Sequence, residues 1–237
     1  MRVGCFGATR MVTGSCFVVE TGQAKILVEC GLYEGLKMCD TKNYDEFGFD
    51  VKDIDAIVIT HGHLDHIGRL SRLFHVGGDA PIYSTKPTKG LAEIILDDAL
   101  NIMTEMSEEC GDPLLYTEED VERCLGSWRG HVYREPIEVA PGVVVTWFDA
   151  GHILGSSFLM IEADGKRLVF TGDVGSTSVP LLADTEALPS KIDLLMCEST
   201  YGDRLHERVE ERKAMLREIA KQNYADKGVL MIPAFSV

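Results

Sequence analysis

The chain has 237 residues, 45% of them hydrophobic and 26% charged, with a formal net charge of −15. This length suits one large domain, or one domain with a fragment of a second, and no apolar run approaches the roughly 18 residues of a membrane span. The acidic balance argues against a protein that grips nucleic acid tightly by itself, because such proteins present a basic face.

The opening Met1–Gly7 lacks the apolar core of a secretion signal, which points to a cytoplasmic protein. Seven cysteines, at 5, 16, 30, 39, 110, 124 and 197, are scattered singly with no CxxC pair. They read as free thiols in a reducing compartment, most of them small buried side chains, rather than as disulfides or a zinc–thiolate site.

In chain order, short runs rich in Val, Ile, Leu and Phe predict strands at Arg2–Phe6, Cys16–Glu20, Lys25–Cys30, Ala56–Thr60 and Pro81–Ser84. Further strands are predicted at Val143–Phe148, Phe158–Glu162, Arg167–Thr171, Leu194–Glu198 and Val229–Ile232. Helical spacing occupies the intervals. Leu64–Phe74 carries Ile67, Leu70, Leu73 and Phe74 on one stripe, and Leu91–Met106 carries Ile94, Ile95, Ala99, Ile102 and Met106. Thr117 followed by Glu118, Glu119 and Asp120 predicts an N-cap opening a short helix towards Leu125. A last helix is predicted from about His206 to Tyr224. Strands and helices mixed in this way imply a layered α/β architecture. The apolar stretch Gly228–Val237 stands where a polar terminus is usual, so the chain reads as truncated.

The strand Ala56–Thr60 leads directly into His61, His63, Asp65 and His66, four metal-ligand types within six residues. Residues two apart in an extended loop project to one side, so His61 and His63 can share one metal. Asp65 and His66 follow a turn later and can hold a second. Imidazole and carboxylate suit Zn²⁺ at about 2.0–2.2 Å, and catalytic sites leave a position for water. The competing reading, a polar loop with an aspartate N-cap, does not explain so dense a cluster. His152 in Asp149–Ser156 and Asp173 in Phe170–Gly175 each stand at a strand end beside glycines, which let backbone and substrate approach closely. Either alone is weak, since such residues are usually structural. Their order after the histidine cluster strengthens both.

Five segments, Gly7–Cys16, His61–Gly68, Gly151–Ser156, Thr171–Asp173 and Glu198–Arg204, together resemble the metallo-β-lactamase superfamily and, within it, the β-CASP group of RNA-processing nucleases. The resemblance implies an α/β fold, the four-layered αβ/βα sandwich, over residues 1–200, with a β-CASP-type region beginning in 201–237. It implies two zinc ions, the first held by His61, His63 and His152, the second by Asp65 and His66, with Asp173 bridging. Asp65 and Asp173 would serve catalysis, and Glu198 would match an acidic residue that supports a catalytic histidine. His206 sits in a matching stretch without an assignable role.

The implied chemistry is hydrolysis of an RNA phosphodiester by metal-activated water between ions roughly 3.5–4 Å apart. There is no membrane partner, and a homodimer is compatible with the sequence. Two departures stand out. The group usually has Asp before the Cys-Gly pair, where this chain has Glu29, and the longer side chain is expected to shift the metal loop. The group's general-acid histidine and last second-zinc ligand lie beyond Val237, so this chain alone is expected to be nearly inactive. Three alternatives remain open. A glyoxalase-II-like thiolester hydrolase shares the histidine cluster but not the opening motif or Glu198–Arg204. A diiron redox protein would carry Glu at the position of His63. A non-catalytic, incomplete metal-binding subunit is the third.

Overall fold

The computed structural model describes residues 1–34, 41–111, 113–177, 180–205 and 209–234. Two compact units result, Met1–Glu198 and Ser199–Val237.

In the first unit, β1 (Arg2–Cys5), β2 (Phe17–Glu20), β3 (Lys25–Val28), β4 (Ala56–Val58), β5 (Ile82–Thr85) and β6 (Trp128–His131) form one sheet in that order. The first three pair antiparallel, and β3 to β6 pair parallel. A tight turn makes the first kind of connection: the Thr21 hydroxyl accepts the Gln23 and Ala24 N–H groups at 3.2 and 2.9 Å. Parallel neighbours need a crossover. Helices α1 (Leu64–Ile67) and α2 (Leu70–His75) supply it between β4 and β5, and α3 (Lys86–Cys110) and α4 (Glu118–Gly126) between β5 and β6. The second sheet contains β7 (Ile137–Ala140), β8 (Val143–Asp149), β9 (Ser157–Ala163), β10 (Lys166–Phe170) and β11 (Leu194–Met196), in the order β11-β10-β9-β8-β7.

Side chains alternate across a strand, and this sorts β3 and β4 between two cores. Leu27 and Ile57 face the helices, packing with Ile67, Leu70, Leu73, Phe74, Leu96 and Val121. Ile26, Val28 and Val58 face the second sheet, packing with Val145, Trp147, Leu159, Ile161 and Phe170. Trp147 is fully buried there and donates its indole N–H to the Ile59 carbonyl at 3.1 Å. Truncating such a residue to alanine costs about 3–5 kcal/mol. The result is an α/β sandwich as expected, but of the four expected layers the described residues of this unit form three, since their helices pack against the first sheet.

Several elements differ from expectation. The predicted helix Leu64–Phe74 is two helices, because Arg69 donates its N–H to the Cys30 carbonyl at 2.9 Å instead of continuing the helical ladder. In α3 the buried stripe is Ala92, Leu96 and Ala99, whereas Ile94 is 68% exposed. Strands β6 and β7 carry weak β patterns, and β6 is imposed by parallel pairing with β5. Val229–Ile232 forms no strand. In the second unit α5 spans Val209–Asp226, and His206 lies outside the described residues. Of the cysteines described, Cys16, Cys30 and Cys124 are buried and free, while Cys5 and Cys197 are exposed. No described helix is long and apolar enough to cross a membrane.

Candidate metal centre

The site assembles at the carboxyl ends of β4, β8 and β10, and so draws on both sheets. The parallel register of β3 and β4 aligns Val28 with Val58, which brings Glu29 level with the segment leaving β4. Glu29 is 2% exposed. Its Oε1 accepts the Thr60 N–H at 2.7 Å, and its Oε2 lies 3.0 Å from His66 Nδ1. Its backbone takes a left-handed φ of +62°, unusual for a residue with a side chain. Glu29 was expected to shift the metal loop. Its one carboxylate holds both ends of that loop.

Thr60 contributes again through its hydroxyl, 2.9 Å from His61 Nδ1, which leaves Nε2 as the outward nitrogen. The Thr60 carbonyl accepts from the Ser157 N–H and hydroxyl at 2.9 and 2.8 Å, tying this loop to the second sheet. His63 is extended and stands just before α1, so Asp65 and His66 fall on the first turn of that helix. On the other sheet, Asp149 Oδ1 accepts the Gly151 N–H at 2.8 Å and Ser156 Oγ accepts the His152 N–H at 2.9 Å, fixing the loop that carries His152. Gly175 donates to the Ala150 carbonyl at 2.9 Å, and a Cβ there would sit 1.8 Å from the Gly151 oxygen. Only glycine permits this contact between the His152 and Asp173 loops.

The ligand atoms of His61, His63, His152 and Asp173 lie within 4.8 Å of one another. His63 Nδ1 is 3.1 Å from His61 Nε2 and 3.2 Å from His152 Nε2. Asp173 faces two ways. Its Oδ2 is 3.4 Å from His152 Nε2 and 3.7 Å from His61 Nε2, and its Oδ1 is 3.3 Å from His66 Nε2. Asp65 Oδ2 is 3.7 Å from the same His66 nitrogen. The six expected ligands therefore converge as two sets that share Asp173. Glu198 lies close enough to favour the charged form of His152; its Oε1 accepts the Val174 N–H at 3.2 Å and its own N–H reaches Thr171 Oγ1 at 3.1 Å, bracing the turn that presents Asp173. Of the other histidines, His75 pairs with Asp120 and His131 stacks between Tyr83 and Trp147.

The electrostatics separate the two sets. Burial, reinforced by the neighbouring imidazoles, holds His61 well below the usual histidine range and pushes His63 down to about 4. His152 is lowered too, by burial above all. Burial, with help from Asp173 and Glu34, lifts Asp65 to about 6 against the pull of His66. His66 is raised to about 10: burial opposes its charge, but the Asp173 and Glu29 carboxylates prevail. Neutral imidazoles aimed at one point beside a carboxylate form a donor set suited to a divalent cation, with carboxylate and hydroxyl groups behind them fixing ring orientation. Thr60 and Ser156 were not singled out from sequence, because nothing local marks a hydroxyl as a partner of a residue it merely adjoins.

A two-sheet sandwich with a histidine–aspartate cluster at its strand ends defines a class, and residues 18–196 match the model of the metallo-beta-lactamase superfamily domain. The chain belongs to that superfamily. It is 38% identical over 237 residues to Ribonuclease TTHA0252 of Thermus thermophilus, and 34% identical over 245 residues to transcription termination factor FttA of Methanococcus maripaludis. It is 31% identical over 238 residues to cleavage and polyadenylation specificity factor 73 of Drosophila melanogaster. Each match takes in 100% of this chain but 52%, 38% and 34% of the respective relative. The chain thus spans about half or less of the length of these proteins.

Proposed function

We propose that this chain carries the metal-binding portion of a zinc-dependent phosphodiesterase that acts on RNA. The observation that carries the reading is Asp173, which turns one oxygen to His61 and His152 and the other to His66. His61, His63, His152 and Asp173 would hold one ion, and Asp65, His66 and Asp173 a second. Imidazole and carboxylate donors favour zinc over magnesium or calcium. When bound, such a pair of ions lowers the pKa of a shared water and stabilises charge developing on a phosphodiester.

The remaining work belongs to the protein's own groups. Asp173 sets the separation of the two ligand sets. Asp65, beside His66, would help hold the second ion and orient the attacking water. Glu29 fixes the ring of His66, and Glu198 fixes the turn that presents Asp173. The RNA assignment is supported by relatives named as a ribonuclease, a transcription termination factor and a cleavage and polyadenylation factor.

The test pairs elemental analysis with an RNase-free assay on end-labelled RNA, using a His63→Ala control. One to two zinc equivalents per chain are expected, and the weak cleavage expected of this chain alone should depend on zinc and be absent from the control. Iron in place of zinc, or hydrolysis of a glutathione thiolester in preference to RNA, would sink the reading.

A further inference from the structure

A cavity of about 280 Å³, lined by none of the candidate metal ligands, is walled by Phe6, Met11, Tyr33, Phe47, Phe49 and Arg69 among others. Its volume is near the lower end of the roughly 300–1,000 Å³ typical of small-molecule sites. Arg69 is the informative residue. It is 4% exposed, yet no carboxylate pairs with it among the described residues. Its Nε donates to the Gly31 carbonyl at 2.6 Å. The guanidinium carbon stands 4.5 Å from the Tyr33 ring centroid and 5.3 Å from that of Phe47. The terminal nitrogens make no hydrogen bond among the described residues.

A buried cation without an anion is an unfavourable arrangement, and arginines in such places are normally paired. Here Arg69 lines the cavity with the Tyr33 and Phe47 rings close to its guanidinium carbon. The paired terminal nitrogens of a guanidinium match an oxyanion in bidentate fashion. The apolar part of the wall, the Phe6, Phe47 and Phe49 rings with the Met11 thioether and Cys16, suits a flat apolar body. Lys42 adds a second cation at 5.6 Å over Tyr33. Asp45 and Glu46 also line the cavity, but both are exposed, where water and salt screen their charge.

We propose that this cavity is a binding site for an aromatic oxyanion of the nucleoside monophosphate class, with the phosphate on the edge of Arg69 and the base among the Phe47 and Phe49 rings. This site is separate from the metal centre and does not depend on what that centre hydrolyses.

The experiment is calorimetric titration of adenosine monophosphate, adenosine and inorganic phosphate into zinc-loaded protein and into protein stripped with EDTA. Adenosine monophosphate should bind both forms alike, and adenosine and phosphate should each bind at least about tenfold more weakly, since a charge-assisted pair contributes on that scale. Arg69→Gln should weaken nucleotide binding by a similar factor. Because Arg69 also holds Gly31, that variant could misfold, so Met11→Trp, which fills the cavity from an exposed position, serves as the second arm and should abolish binding. Equal affinity in Met11→Trp, binding that vanishes with the metal, phosphate bound as tightly as the nucleotide, or no nucleotide binding at millimolar concentration would each overturn the proposal.

Discussion

Glu29 and His66, 37 residues apart in sequence, meet through a buried 3.0 Å contact while the second oxygen of the same carboxylate holds the Thr60 N–H. Both oxygens act as acceptors, and glutamine offers only one. Glu29→Gln therefore either leaves Thr60 unpaired or turns an amide N–H towards His66 Nδ1. The fold should persist, and metal affinity should fall about 10–100-fold, the usual effect of losing such an outer partner. Competition against a chromogenic chelator measures it. Unchanged affinity would show that His66 orients itself without help.

The two ligand sets should load in order. His61 and His63 are neutral at pH 7, so the first ion displaces no proton from them. In the empty site, against the opposition of burial, the Asp173 and Glu29 carboxylates favour the charged form of His66, so an ion binding there must expel its proton. Affinity of the second equivalent should rise with pH, by about tenfold per unit while His66 remains charged in the empty site. Calorimetry in two buffers of different ionisation enthalpy reads proton release directly. Release confined to the first equivalent would contradict the assignment.

Gly31→Ala should be among the most damaging small substitutions. A Cβ there would lie 1.6 Å from the Asp65 carbonyl oxygen, and Gly31 also donates to Ser15, whose own N–H holds that Asp65 oxygen. The backbone must move, at a cost on the order of 1–3 kcal/mol, and the shift falls on the turn that bears Asp65 and His66. A lowered melting temperature together with weakened second-ion binding is expected. A wild-type melting curve would refute the close contact.

A pH effect is expected far from the metal centre. Burial tends to raise the Asp120 carboxyl, but the Thr117 N–H, His75 and the Thr117 hydroxyl together hold it below the usual range. A depressed carboxylate stabilises the fold above its unfolded pKa of about 3.9 and loses that contribution as pH falls through the lower, folded value. Asp120→Asn breaks the capping box of α4 and should cost about 0.5–2 kcal/mol at pH 7. In urea titrations, the difference from wild type should narrow below about pH 3.9. A constant difference from pH 7 to pH 3 would remove the carboxylate from the explanation.

The metal cluster was legible in sequence because its chemistry is local: His61, His63, Asp65 and His66 share one loop, and His152 and Asp173 each follow a strand and flank a glycine. The supports were not legible. The bridge made by Glu29 depends on a left-handed backbone and on a register set by β3 and β4, and neither is written in its neighbours. The same limit explains the helices. Apolar spacing located α3 but put Ile94 in the core, because α3 carries more apolar residues than one face can bury. A single stripe ran through Leu64–Phe74 because periodicity does not register that the Cys30 carbonyl captures the N–H of Arg69.

His61 and His63 leave the first sheet, whereas His152 and Asp173 leave the second. An ion gripped by all four recognises the two sheets only when they are docked face to face, and has no such grip on a chain in which they have parted. Its binding free energy is then a gauge of that seam, adding about 2.7 kcal/mol to the docked state at a hundredfold excess over the dissociation constant. Mutations in the Trp147 interface should surface first as changes in how tightly the chain keeps its metal.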